Sequence, residues 1–143
     1  MLRLFPKLLI IALSLLITDA FGGAKECEIR VAADSSGDVK TIQDAIDKVP
    51  IGSKTRCTIR IRPGIYKEQI RVPANKPYIS FLGEKAETTV LTFNLSNKEA
   101  GSTSASYATY IGGHDFYAEN ITFENSFGTG SQAVAVLVEA DRA

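Results

Sequence analysis

Apolar and polar positions alternate along this chain with two different periods, and each change of period marks a new element. Over residues 28–33, Ile29 and Val31 lie between Glu28, Arg30 and Ala32, which predicts a half-buried strand. A turn follows at Asp34-Ser35-Ser36-Gly37-Asp38. Ile42, Ala45, Ile46 and Val49 then recur at i, i+3, i+4 and i+7, so a short amphipathic helix is predicted, capped by Asp38 or Thr41 and ended by Pro50. It is the only helix the pattern supports. From Cys57 the period returns to two: Ile59 and Ile61 alternate with Thr58, Arg60 and Arg62 until Pro63-Gly64 turns the chain. Further short strands are predicted over residues 69–72, 78–82, 89–93, 108–111, 116–118, 120–123 and 133–138.

Many short strands punctuated by Gly, Pro, Asn and Asp, without Asn-Gly or Asp-Gly hairpin dipeptides, leave three architectures: sandwich, barrel and parallel β-helix. Residues 133–138 are apolar on both faces, as in a strand covered on both sides, which favours stacked parallel coils. The Ser-, Thr-, Gly- and Ala-rich loop at residues 96–106 is expected to be exposed.

Residues 1–24 read as a secretory signal peptide. Arg3 and Lys7 precede the apolar run from Leu8 to Ile17, and Ala20, Gly22, Gly23 and Ala24 supply the small-residue exit. The run is shorter than the roughly 20 apolar residues that span a bilayer. Export with no membrane attachment after cleavage is therefore expected of residues 25–143. Sixteen basic and sixteen acidic residues balance without a block of either sign, so nothing suggests a nucleic-acid partner. Cys27 and Cys57 each open a strand-like segment. They either pair, closing a loop that would stabilise by about 3–4 kcal/mol, or remain two small buried thiols. Asn94-Leu95-Ser96 and Asn120-Ile121-Thr122 are glycosylation sequons; Asn94 lies in polar surroundings, whereas Asn120 is expected to open an apolar strand where a sugar would obstruct packing.

Several segments, taken in order, carry a resemblance. These are Val31-Ala32-Ala33-Asp34-Ser35-Ser36-Gly37-Asp38 with Lys40-Thr41-Ile42-Gln43-Asp44-Ala45-Ile46, then Pro63-Gly64-Ile65-Tyr66-Lys67-Glu68, and Ile79-Ser80-Phe81-Leu82-Gly83. Phe116-Tyr117-Ala118-Glu119-Asn120-Ile121-Thr122-Phe123-Glu124-Asn125 and Gln132-Ala133-Val134-Ala135 complete the series. Together they resemble the plant pectin methylesterases, or pectinesterases. The resemblance implies an all-β, right-handed parallel β-helix whose first coil is covered by the short N-terminal helix, with residues 25–143 forming the N-terminal portion of the domain. It implies methyl-esterified homogalacturonan as the partner, and chemistry that needs neither metal nor cofactor.

In that chemistry an aspartate carboxylate attacks the ester carbonyl, a second aspartate serves as acid and then as base, and glutamine amides hold the oxyanion. Gln132 matches the first such glutamine and Thr103 a substrate-contacting threonine, so these two residues are the substrate-binding candidates. The Gln-Asp-Thr and Val-Asp-Phe elements that would bring the aspartates have no counterpart in this sequence, and no residue here is assigned a catalytic role. A non-catalytic secreted pectin-binding protein is the alternative. A wall-active lyase would want an acidic calcium cluster that the sequence does not display. Asp141, expected at a strand end near Gln132, reads as a solvated loop residue; His114, in Gly112-Gly113-His114-Asp115, reads as a turn residue without an assignable serine for a triad. Tyr66 and Glu68 read as packing and turn residues. If the stack stops with residues 133–138, Val134, Val136 and Val138 would face water or a partner, and the polypeptide is expected to be marginally stable.

Overall fold

The computed structural model describes residues 26–143; the signal segment expected over residues 1–24 lies outside them. The elements run β1 (Cys27–Val31), α1 (Ile42–Lys48), β2 (Cys57–Ile61), β3 (Gly64–Lys67), β4 (Ile70–Val72), β5 (Ile79–Gly83) and β6 (Thr89–Phe93). Then come α2 (Asn97–Ala100), a 3-10 turn at Ser104–Ser106, β7 (Tyr107–Ile111), β8 (Tyr117–Glu119), β9 (Thr122–Asn125) and β10 (Val134–Val138). The chain visits three sheets in rotation: β1-β2-β5-β8, then β3-β6-β9, then β4-β7-β10. Every pairing among these strands is parallel. That removes the sandwich and the up-and-down barrel, both antiparallel, and leaves the right-handed parallel β-helix, the hand that parallel crossovers adopt.

Period two gives this fold because each coil puts one face of its strands inside and stacks it on the same face of the next. Ile29, Ile59, Phe81 and Ala118 stand in register across the first sheet, and Ile59 and Phe81 are completely buried. Phe116 meets Phe81 edge-on, with ring centroids 5.0 Å apart, and fills the space beside it. Cys27 and Cys57 are also register partners and form a disulfide, which resolves the choice left open by the sequence.

Helix α1 closes the first coil. The Thr41 side chain caps it by accepting from the Asp44 N–H at 3.1 Å, and Ile42, Ala45 and Ile46 face the core. Two distant side chains complete the ends. The Glu68 carboxylate accepts from the N–H groups of Ile42 (2.8 Å) and Gln43 (3.0 Å), which no helical carbonyl can reach. Buried Lys76 donates to the carbonyls of Ile46 (2.8 Å) and Asp47 (2.9 Å) at the other end. Tyr66 is buried and donates its hydroxyl to the Arg62 carbonyl at 2.9 Å. Tyr66 thus packs as its sequence reading expected, whereas Glu68, read as a turn residue, caps a helix distant in sequence. Replacing Glu68 with alanine leaves the first helical N–H groups unpartnered, and a loss of about 1.5–3 kcal/mol is expected in urea unfolding.

Four readings are corrected. Gly64 begins β3 instead of completing a turn, because the corner between sheets takes only Arg62 and Pro63. A second helix, α2, occupies part of the 96–106 loop. Asn120 does not open a buried strand: it is exposed in the corner between β8 and β9, with φ +57°. That corner presses its carbonyl toward Gly83, where an added Cβ would lie 2.2 Å from the oxygen, so only glycine admits the close approach of the two coils. Finally, β10 is not covered on both faces. It pairs with β7, Val136 packs against the core, and Val138 is 48% exposed.

Candidate functional site

The connections from the second sheet to the third lie on top of one another in successive coils. One links β6 to β7 and carries Thr103; the next links β9 to β10 and carries Gln132. The first is held by a capping box. The Ser96 hydroxyl accepts from the Glu99 N–H (3.3 Å), while the Glu99 carboxylate accepts from the Ser96 N–H (3.0 Å) and hydroxyl (2.9 Å). Gly101, at φ +84°, ends the helix. Ser106 then anchors the far side of the loop, its buried hydroxyl donating to the Thr103 carbonyl at 2.7 Å. The loop is thus pinned at both buried ends, Ser96 and Ser106, while Gly101 to Ser104 are exposed as expected.

The structure brings the two candidates together. Thr103 donates its hydroxyl to Gln132 Oε1 at 2.6 Å, and Asn97 Nδ2 approaches the same oxygen at 3.4 Å. The Asn97 N–H donates to the Gln132 carbonyl at 2.8 Å, and the Ser131 hydroxyl donates to Asn97 Oδ1. With its oxygen turned to these donors, the Gln132 amide keeps its Nε2 hydrogens without a partner among the described residues. Such a group can donate to a developing oxyanion or to a sugar oxygen. No carboxylate is among the hydrogen-bond partners of Thr103 or Gln132 within the described residues.

Asn125 ties both connections to the stack. Its Nδ2 donates to the carbonyls of Leu95 (2.9 Å), Ser106 (2.8 Å) and Val134 (3.2 Å). Its Oδ1 accepts from the N–H groups of Leu95 (3.3 Å) and Phe127 (3.2 Å). One amide thereby fixes both ends of the Thr103 loop and the start of the strand that follows Gln132. Asn125→Ala should cost about 1–3 kcal/mol by leaving these groups unpaired, and amide exchange at Leu95 and Phe127 should rise by more than exchange at β2.

Glu99 gives the loop a pH dependence. The hydrogen bonds from the Ser96 backbone and hydroxyl hold its carboxyl below the ordinary value, so the folded loop favours the ionised form. That support is complete above the ordinary carboxylate value of about 4.3 and is lost as pH falls below it through the depressed one. Amide protection at residues 96–99 should accordingly decline on acidification below about pH 4, while β5 stays protected.

Two other sequence candidates fall elsewhere. Asp141 is not near Gln132: the two lie beyond opposite ends of β10, and Asp141 is an exposed partner of Arg142, Nη1 to Oδ2 2.7 Å. His114 shares a 2.7 Å hydrogen bond with Asp115 and packs edge-on against Tyr78, with no serine in the arrangement. Asp115 in turn takes a forked pair of bonds from Arg142 (2.7 and 2.9 Å), which together with His114 hold its carboxyl far below the usual range. This is an ion-pair cluster on the turn that leads to the first sheet. Sequence reading missed Asn97, Glu99 and Asn125. Ser96-Asn97-Lys98-Glu99 does carry the capping-box spacing; Asn125 ends a segment that carries the resemblance, but nothing local marks it as a positioning residue.

Comparison with known proteins agrees with this frame. The sequence profile of the Pectinesterase family matches residues 28–143. Pectinesterase 31 of Arabidopsis thaliana is 46% identical over 125 residues, covering 80% of this chain and 39% of the relative. A pectinesterase of Daucus carota is 44% identical over 113 residues, covering 78% of this chain and 35% of the relative. Among solved structures, pectin methylesterase from carrot superposes with a TM-score of 0.77 at 40% identity, over 79% of this chain and 36% of that one. A pectin methylesterase in complex with a hexasaccharide gives 0.69 at 30% identity, over 80% and 40%. The chain thus spans between 16% and 39% of the length of the curated relatives it matches. Stacked coils, motif order and family profile coincide over the same residues, and the chain belongs to the pectinesterase family.

Proposed function

We propose that this chain binds methyl-esterified homogalacturonan at Thr103 and Gln132 and supplies one amide donor for hydrolysis of its galacturonate methyl esters. The observation that carries the reading is the 2.6 Å hydrogen bond from Thr103 to Gln132 Oε1, which orients an amide whose Nε2 hydrogens remain available. Hydrolysis breaks the acyl–oxygen bond: a carboxylate adds to the carbonyl carbon, methanol leaves with a proton, and water then releases the galacturonate. Gln132 Nε2 would donate to the carbonyl oxygen as it becomes negative. Within a complete site, loss of such a donor lowers kcat by about 10²–10³. In this reading the carboxylates are supplied by the family's aspartate elements, while Thr103 and Gln132 supply substrate binding and the amide donor.

Export to the cell wall is part of the same reading. The Cys27–Cys57 disulfide supports it, since such bonds persist in oxidising compartments. The test uses the purified chain with highly esterified pectin, measuring methanol release and retardation in pectin-containing native gels. Retardation that is lost in the Thr103→Ala/Gln132→Ala double variant is expected; wild-type migration unaffected by pectin would overturn the reading. Methanol release would identify an ester hydrolase, and retardation without release the non-catalytic binder.

A further inference from the structure

The outer face of the third sheet carries an arrangement that the Thr103–Gln132 pair does not use. Arg71 on β4 is exposed, and its guanidinium lies 4.2 Å from the centroid of the Tyr110 ring on β7. Its Nη1 donates to the Tyr107 hydroxyl at 3.2 Å, and the two tyrosine rings stand 5.5 Å apart, tilted by 44°. The backbone beneath is fixed as well. Gln43 on α1 accepts from the Arg71 N–H at 2.9 Å, and Gln69 donates to the Tyr107 carbonyl at 3.0 Å. Arg30, Arg60 and Arg142 pair with carboxylates, whereas Arg71, like Arg56 and Arg62, forms no salt bridge among the described residues. A carboxylate at this patch, Glu139, accepts from the Tyr110 hydroxyl at 2.9 Å.

We infer that Arg71, Tyr107 and Tyr110 form a binding position for an ionised, unesterified galacturonate of the same pectin chain that presents its ester to Gln132. The inference rests on the pectin-binding reading above. Placement supports it first. Tyr107 is the register partner of Val134, two residues beyond Gln132, and Tyr110 that of Leu137, five residues beyond. At a strand rise of about 3.3 Å per residue, the patch extends from roughly 7 Å to roughly 17 Å past Gln132, so a polysaccharide leaving the amide along the sheet crosses it.

Chemistry supports it second. A planar guanidinium recognises a carboxylate through two parallel N–H groups, and Arg71 is already ordered by its stacking and its tyrosine bond, so little freedom is lost on binding. The half-exposed tyrosine rings offer apolar faces to the C–H groups of a sugar and keep their polar ends wet. Methyl esterification removes the charge that Arg71 reads. The position therefore selects for a free acid a few sugars away from the ester.

The experiment measures affinity of the full chain for polygalacturonate, highly methyl-esterified pectin and neutral galactan, by gel retardation and calorimetry, with melting curves confirming that each variant is folded. Arg71→Gln should weaken polygalacturonate binding about tenfold or more while changing affinity for esterified pectin less than about twofold. Tyr107→Phe, which removes only the hydroxyl that steadies Arg71, should give a smaller loss on the same substrate. Polygalacturonate affinity unchanged in Arg71→Gln, or lost equally for both pectins, overturns this assignment and leaves the pectin-binding reading standing. So does a wild-type chain that binds esterified pectin but not polygalacturonate. A wild-type chain that binds neither overturns both.

Discussion

Phe81→Ala is expected to lower the unfolding free energy by about 3–5 kcal/mol, the range found when a buried aromatic is truncated and its neighbours cannot collapse into the space. Collapse is restricted here for a specific reason. Phe81 is fully buried in the middle of the first sheet, with Ile59 and Ala118 fixed in register on either side and the Phe116 ring 5.0 Å away. Strands paired by backbone hydrogen bonds keep their spacing whatever side chain they carry, so the cavity persists. Urea unfolding followed by circular dichroism provides the measurement. A loss under about 1 kcal/mol would mean that neighbouring coils can repack.

Cys57→Ala, which removes the disulfide, should cost about 3–4 kcal/mol. The bond joins residues 30 apart, and a loop of that size restricts the unfolded chain by this amount in the chain-entropy treatment. Cys57 itself is fully buried, and alanine fills its place with little polar change. The loss should therefore appear equally when the wild-type protein is unfolded under reducing conditions. If the variant lost stability while reduction of the wild type cost nothing, packing of the sulfur, not the cross-link, would be the stabilising element. Such a loss is a large part of the 5–15 kcal/mol typical of a folded domain.

The strands were legible because the interior of a stacked coil accepts Ile, Val, Leu and Phe at alternate positions, and that alternation is local. Ile29, Ile59 and Phe81 declare themselves without knowledge of their neighbours. Helix α1 was legible for the same reason, since its buried stripe of Ile42, Ala45 and Ile46 recurs within its own length. Corners were not. Gly64 belongs to a strand and Asn120 to a left-handed corner only because the adjoining coils fix where the chain bends, and no local period records that. At the candidate site, motif resemblance brought out Thr103 and Gln132, but their contact spans 29 positions and depends on two loops lying one above the other. Asn125 was invisible as a positioning residue because its partners come from the ends of β6, β7 and β10, with Phe127 alone nearby. The Asp141 placement failed because a strand separates neighbours in sequence by its full length.

The register pairing of Cys27 with Cys57 makes oxidation a proofreading step for threading. Parallel strands that hydrogen-bond equally well after sliding by two residues would part the sulfurs by roughly 7 Å, beyond the span of a disulfide. Only the correctly threaded first turn of the spiral can be sealed.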